Sequence, residues 1–295
     1  MQNITNSPID KITFNDTTFL IKRDDLLHKE FTGNKARKFY YYFKNDFLNI
    51  DTIISHGSNQ SNAMYSLSVL AKLKCWNFIY YTNHIPSFLE QNPQGNYKYA
   101  LENGMQIIVD ENFDYSRLKI KNSQLFISEG GAVKEASFGL EILANEIKEY
   151  QNENNIKNLK IFLPSGTGTT ALFLQKYLRL EVLTCPCVGD SEYLKKQFLE
   201  LESDENKHPT IVKPRKKYHF GKLYKDNYIL YKELKKQTNI EFDLLYDPIG
   251  IETFLNYSKL KSENSTLLYI HQGGIIGNET MISRYLYKWK DLDVN

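Results

Sequence analysis

Short runs of Ile, Phe, Val, Leu and Tyr alternate along the chain with longer stretches of helical period, the pattern of parallel strands joined by crossover helices. The runs predict strands at 52–56, 77–82, 106–110, 125–128, 159–164, 180–185, 242–246 and 267–271. Between them, Met64, Leu67, Leu70, Ala71 and Leu73 fall on one stripe, and Leu140, Leu143, Ala144 and Ile147 on another, each the buried face of an amphipathic helix. The class is α/β, built as two mostly parallel sheets with flanking helices. One large doubly wound sheet or two smaller α/β domains around a cleft both satisfy the pattern. The polar stretch Asn152-Glu153-Asn154-Asn155 is a boundary candidate, and 202–208 a loop.

Composition narrows the function classes. With 295 residues, 41% apolar and 24% charged, the chain reads as a folded globular protein. Lys and Arg number 37 against 35 Asp and Glu, a net charge of +2, which gives no global electrostatic reason to expect nucleic acid or an anionic membrane as partner. Any ligand must be argued from local sites. Cys75, Cys185 and Cys187 are too few for a disulfide framework, and Cys185-Pro-Cys187 lacks the second pair of a zinc knuckle, so no metal is expected. The first residues have no signal-peptide pattern, and no apolar run approaches the ~18 residues of a membrane helix. The expectation is a reduced cytoplasm.

Three clusters carry candidate chemistry. Phe31-Thr-Gly-Asn-Lys-Ala-Arg-Lys38 places a Gly33-Asn34 turn before a helical pattern, so Lys35 stands at a helix start,. There the positive end of the dipole and burial both favour the neutral amine, bringing a lysine toward the ~7–8 useful for Schiff-base and base chemistry. Ser55-His-Gly-Ser-Asn-Gln-Ser-Asn62 closes a strand and opens a helix. It reads as a carboxylate or phosphate site, or as a set of helix caps with Ser61 or Asn62 at N-cap. Leu163-Pro-Ser-Gly-Thr-Gly-Thr-Thr170 again joins strand to helix. Glycines, unpaired N–H groups and hydroxyls suit a single phosphate, and the alternative is an ordinary glycine turn. It is neither a P-loop nor a dinucleotide fingerprint. Glycine pairs in Ser128-Glu-Gly-Gly131 and His271-Gln-Gly-Gly274 also follow strands; loops at strand carboxyl ends point to one cleft.

In this order the clusters resemble the 1-aminocyclopropane-1-carboxylate deaminase and D-cysteine desulfhydrase family, pyridoxal-phosphate enzymes of tryptophan synthase β type. The resemblance rests on Lys22 to Asp25, Gly33 to Lys38, Gln60 to Asn62, Glu129 to Gly131, Ser165 to Thr170, Asp247-Pro248 and His271 to Gly274, and spans residues 20–280. It implies two open twisted sheets, with 1–39 and 155–295 as a large cofactor-binding domain and 40–154 as a small one. It implies that Lys35 carries pyridoxal 5'-phosphate covalently, with the ring as electron sink. Gly166, Thr167, Gly168, Thr169 and Thr170 would hold the phosphate, with Lys38 adding a charge-assisted contact. Asn62 would lie beside the ring hydroxyl, Gln60, Ser61 and Asn62 would receive the substrate carboxylate, and Ser61 would also shuttle a proton.

The implied activity is a deaminase or lyase of a small amino acid. D-Cysteine-type β-elimination to keto acid and ammonia is slightly preferred over ring opening of aminocyclopropane carboxylate, and a homodimer is expected. The sequence departs from the family after Asp-Pro, where Val-Tyr is usual and Ile249-Gly250-Ile251 stands. That offset leaves the reactive tyrosine missing, with Glu252 as a displaced substitute. Gln272 takes the place of a Thr or Leu, and its amide can reach the pyridine nitrogen. The second hypothesis is therefore a cofactor-binding regulatory protein without turnover; a nucleotide-binding module is disfavoured by the absent fingerprints.

Overall fold

The computed structural model describes residues 4–257 and 265–293. Among the described residues ten strands form two sheets: β1 (Ile9–Phe14), β2 (Thr17–Arg23), β3 (Thr52–His56), β4 (Asn77–Thr82), β5 (Met105–Val109), β6 (Gln124–Ile127), β7 (Leu159–Ser165), β8 (Glu181–Pro186), β9 (Thr210–Ile211) and β10 (Thr266–His271). The helices are α1 (Gly33–Lys44), α2 (Asn62–Lys74), α3 (Ser87–Gln91), α4 (Gly95–Glu102), α5 (Ala136–Glu153), α6 (Thr169–Tyr177), α7 (Ser191–Leu201), α8 (Lys225–Thr238), α9 (Asp247–Asn256) and α10 (Asn278–Lys288). No helix among the described residues is long and apolar enough to cross a membrane.

The larger sheet has the order β1-β2-β10-β7-β8-β9, the smaller β5-β4-β3-β6. All pairs are parallel except the β1–β2 hairpin. Asn15 and Asp16 close that hairpin at φ 45° and 59°, the primed-turn geometry whose twist matches the strands it joins. Alternation of side chains across the larger sheet splits its core in two. Phe19, Ile21, Phe162 and Tyr269 face one layer with Ile251 and Phe254 of α9. Leu20, Ile161, Leu268 and Ile270 face the other with α5 and α6, where Leu140, Leu143 and Ile147 form the anticipated stripe. The smaller sheet buries Ile53, Phe78 and Tyr80 against α1, α2 and α4.

Residues 242–246, expected as a strand, are irregular. Side chains take the backbone groups that a ladder would use. Asp243 Oδ1 accepts from Leu245 N at 2.8 Å and Tyr246 N at 2.6 Å, and Asn278 Oδ1 accepts from Leu244 N at 2.8 Å. Such local bonds compete with sheet pairing. Conversely, β1, β2 and β9 lay outside the expected set.

Candidate active site

A buried charge network seats α1. Arg37 donates to Asp24 through Nε (3.1 Å) and Nη2 (2.8 Å), and to Glu146 through Nη1 (2.6 Å) and Nη2 (2.7 Å). Lys22 adds a 2.7 Å ion pair to Glu146. The Lys-Arg-Asp-Asp stretch at the end of β2 and the arginine of the α1 motif thus tie β2, α1 and α5 together. Paired, hydrogen-bonded charges are tolerated at this depth where single ones are not.

At the start of α1, Gly33 has φ +70°, and a Cβ there would sit 2.1 Å from the Gln272 carbonyl oxygen. Only glycine permits that approach. The same carbonyl accepts from Asn34 N at 2.9 Å, while Gln272 Oε1 accepts from Asn34 Nδ2 at 2.9 Å. The loop after β10 therefore positions the first turn of α1. His271 holds that loop: Gly273 N donates to its Nδ1 at 3.1 Å, which leaves Nε2 to donate to the Glu241 carbonyl at 2.7 Å.

Loops after β3, β6, β7 and β10 converge on a cavity of about 690 Å³. Lys35, Lys38, Gln60, Ser61, Asn62, Gly166, Thr167, Gly168, Thr169, Thr170 and Gln272 all line it. Lys35 Nζ has a long 3.4 Å contact to Asn34 Oδ1. Burial lowers its pKa to about 8, and nearby Asp243 opposes the shift. Lys38 is buried and donates to the Gly130 carbonyl at 3.0 Å and to Thr167 Oγ1 at 3.4 Å. Desolvation, and then the charge of Lys35, hold it well below the usual lysine range. The threonine loop caps α6, Thr167 and Thr169 hydroxyls lie 3.0 Å apart, and Thr170 Oγ1 is buried without a partner.

Across the cavity Ser61 is the N-cap of α2, its Oγ accepting from Ala63 N (3.1 Å) and Met64 N (3.4 Å). Asn62 Oδ1 accepts from Asn96 Nδ2 at 2.7 Å. Gln60 Nε2 and Asn96 Oδ1 are buried and unpartnered. Gln272 Nε2 donates to the Pro164 carbonyl at 2.6 Å. With its oxygen bonded to Asn34, the amide retains a single N–H for a ligand.

Sequence reasoning missed Asp243 and Tyr246. Both line the cavity. Burial raises the Asp243 carboxyl to about 7, with Asp247 adding to the shift, against the opposing bonds from Tyr246 N, Leu245 N and Asn62. A Cβ on Gly166 would sit 3.4 Å from the Tyr246 hydroxyl oxygen, which places that hydroxyl over the threonine loop. Burial, followed by the Asp243 charge, raises the Tyr246 pKa, so the phenol is protonated at neutral pH.

Position 250, where the family resemblance leads to the expectation of a tyrosine, does not line the cavity, whereas Tyr246 does. Gly250 points away from the cavity, and a Cβ there would meet the Tyr269 hydroxyl at 2.5 Å and Pro164 at 3.0 Å. Asp243-Leu-Leu-Tyr246 repeats the Asp-x-x-Tyr interval four residues earlier in the chain. That interval is the signal in the sequence by which Tyr246 can be found. Glu252 is no substitute: it pairs with Tyr218 (2.6 Å) and Arg215 (2.6 Å), away from the cavity.

Two parallel sheets flanking a lysine and a glycine–threonine loop define the tryptophan synthase β-type fold. The chain is similar in structure to an ACC deaminase homologue at 20% identity, covering 95% of this chain and 93% of that one with a TM-score of 0.76. It is similar to a hydrogen sulfide-producing enzyme from Fusobacterium nucleatum (14% identity, 93% and 97% covered, TM-score 0.67). A third similar structure is threonine deaminase isoform 2 from Solanum lycopersicum (12%, 91% and 79%, 0.62). No family sequence model and no curated protein sequence matches the chain.

Proposed function

We propose that the chain is a pyridoxal-phosphate-dependent lyase or deaminase of a small amino acid, with D-cysteine-type β-elimination preferred over cyclopropane opening. The observation that carries this reading is Lys35, whose amine of pKa about 8 shares one cavity with the threonine loop. The residues fit the cofactor: Thr170 Oγ1 is a buried, unpartnered hydroxyl at the head of α6, where backbone N–H groups and the helix dipole favour a phosphate. Lys35 would hold the cofactor covalently, Gly166 to Thr170 and Lys38 its phosphate, and Asn62 its ring hydroxyl. When bound, the cofactor's ring supplies the electron sink for a carbanion at the substrate α-carbon.

The chain's own groups then divide the work. Gln60 Nε2 and the Ser61 hydroxyl receive the substrate carboxylate. The released Lys35 amine, neutral in a good fraction of molecules near pH 8, takes the α-proton, a role that a depressed pKa suits. Tyr246, kept protonated by burial, can donate to a departing group above the threonine loop. From D-cysteine the products are sulfide, pyruvate and ammonia. Asp247 engages Tyr269 (2.7 Å) and Asp243 N (2.9 Å), so its carboxylate is committed to the scaffold, which favours elimination over ring opening. A tyrosine in the cavity, Tyr246, supports turnover over a silent cofactor-binding protein. A cytoplasmic homodimer completes the proposal.

The test is reconstitution with pyridoxal phosphate followed by a keto acid screen. The protein is expected to gain a near-visible absorption band that Lys35→Ala abolishes, and to release pyruvate and sulfide in equal amounts from D-cysteine. A colourless protein after reconstitution would refute the cofactor assignment. Keto acid from aminocyclopropane carboxylate and none from cysteine or serine would refute the preferred substrate.

A further inference from the structure

The cavity carries a cation that none of these roles uses. Arg284 on α10 lines it, together with Thr280, Met281, Leu245 and Phe220. Its guanidinium is anchored on one side, where Nη2 donates to the Gly221 carbonyl at 2.8 Å and Nη1 lies 3.3 Å from Met281 Sδ. Among the described residues it has no carboxylate partner. Of the carboxylates on the cavity wall, Asp243 accepts from Leu245 N and Tyr246 N and Asp247 from Tyr269, while Glu129 lies beside Gly57, just after β3. A guanidinium held by backbone on one edge and open on the other is organised for an oxyanion.

Its position relative to the substrate loop is fixed by α10. Thr280 Oγ1 donates to Gln60 Oε1 at 3.1 Å. Arg284 follows Thr280 by four residues on the same helix, hence on the same face and about 5–6 Å further along at Cβ. One end of this wall offers the unpartnered Gln60 Nε2 to a carboxylate, and the other end offers a guanidinium. An amide held by Thr280 and a guanidinium one helical turn further along α10, both on one cavity wall, match an α-amino acid whose side chain ends in a second oxyanion.

We propose that Arg284 is a specificity residue, selecting amino acids with a carboxylate or phosphate on the side chain over neutral ones of similar size. The proposal rests on reading the Lys35 cavity as an amino-acid site. It keeps the reaction and adds that a side-chain anion is bound there better than the neutral thiol of cysteine.

The experiment titrates the cofactor-loaded protein with aspartate, O-phosphoserine, serine and cysteine, in both enantiomers, and follows the absorption change. At least one anionic amino acid is expected to half-saturate at a concentration about 10-fold or more below that of serine, the range a charge-assisted bond supplies. Comparing aspartate with O-phosphoserine separates carboxylate from phosphate. Arg284→Gln is expected to collapse the anionic-to-neutral ratio toward one, and Arg284→Lys to retain part of it. Equal saturation by serine and both anions in the unaltered protein overturns the proposal, as does an unchanged ratio in Arg284→Gln. Failure of the cofactor reading shows separately, as a protein colourless before any amino acid is added. Thermal stabilisation by aspartate and O-phosphoserine then reports on Arg284, and no loss of it in Arg284→Gln overturns the proposal.

Discussion

At the scale of single residues, the site depends on opposing influences on one amine. Desolvation favours neutral Lys35, while the carboxylate of Asp243 favours the ammonium,. The amine therefore titrates at about 8, and only the deprotonated form attacks an aldehyde. The rate of pyridoxal phosphate attachment should rise with pH through about 8 and then level off, which stopped-flow absorbance measures. In Asp243→Asn the charge that holds the proton is gone, so the midpoint should move to lower pH. A midpoint near the ordinary 10.5 of lysine would mean that the amine is bathed in water rather than desolvated.

At the scale of elements, α1 is aimed by charge as much as by apolar packing. Arg37 bridges Asp24 and Glu146 at 2% exposure, so its removal leaves buried Asp24 without a cation and Glu146 with Lys22 alone. Arg37→Met should cost about 3–5 kcal/mol in denaturant unfolding, the penalty for breaking a buried pair on one side only. Arg37→Lys should recover little, since an ammonium lacks the planar fork that reaches both carboxylates. A loss below about 1 kcal/mol in Arg37→Met would show that the network is dispensable. The element α9 is seated instead by close approach to β10. There the absence of a side chain at Gly250 lets the Tyr269 hydroxyl reach Asp247 at 2.7 Å.

At the scale of the whole molecule, the cavity is assembled from both sheets. β3 and β6 come from the smaller sheet, β7 and β10 from the larger, and the first turn of α1 lies between them. A ligand bound there stabilises the folded chain and has no equivalent site in the unfolded one. At a hundred times its dissociation constant, pyridoxal phosphate should add about 2.7 kcal/mol of stability. Differential scanning calorimetry should show a melting temperature that rises with cofactor concentration, an effect that Lys35→Ala largely removes. A melting temperature indifferent to cofactor would sink the assignment of the threonine loop as its phosphate site.

Strand and helix periods are local properties, and they made the two parallel sheets and the α2 and α5 stripes legible in the chain alone. So did turn chemistry, which placed Lys35 at a helix start and the glycine–threonine run between β7 and α6. Facing is not local. Whether Tyr246 or position 250 meets the cavity depends on Asn278 of α10 taking the Leu244 N–H and on Tyr269 of β10 filling the space beside Gly250, both contacts between segments distant in sequence. The pairing of Lys22, Asp24, Arg37 and Glu146, the orphaned amide of Gln60 and the outlying guanidinium of Arg284 belong to the same category. Charge and hydrogen-bonding capacity are written in the residue types, but their partners are chosen only when the chain has closed on itself.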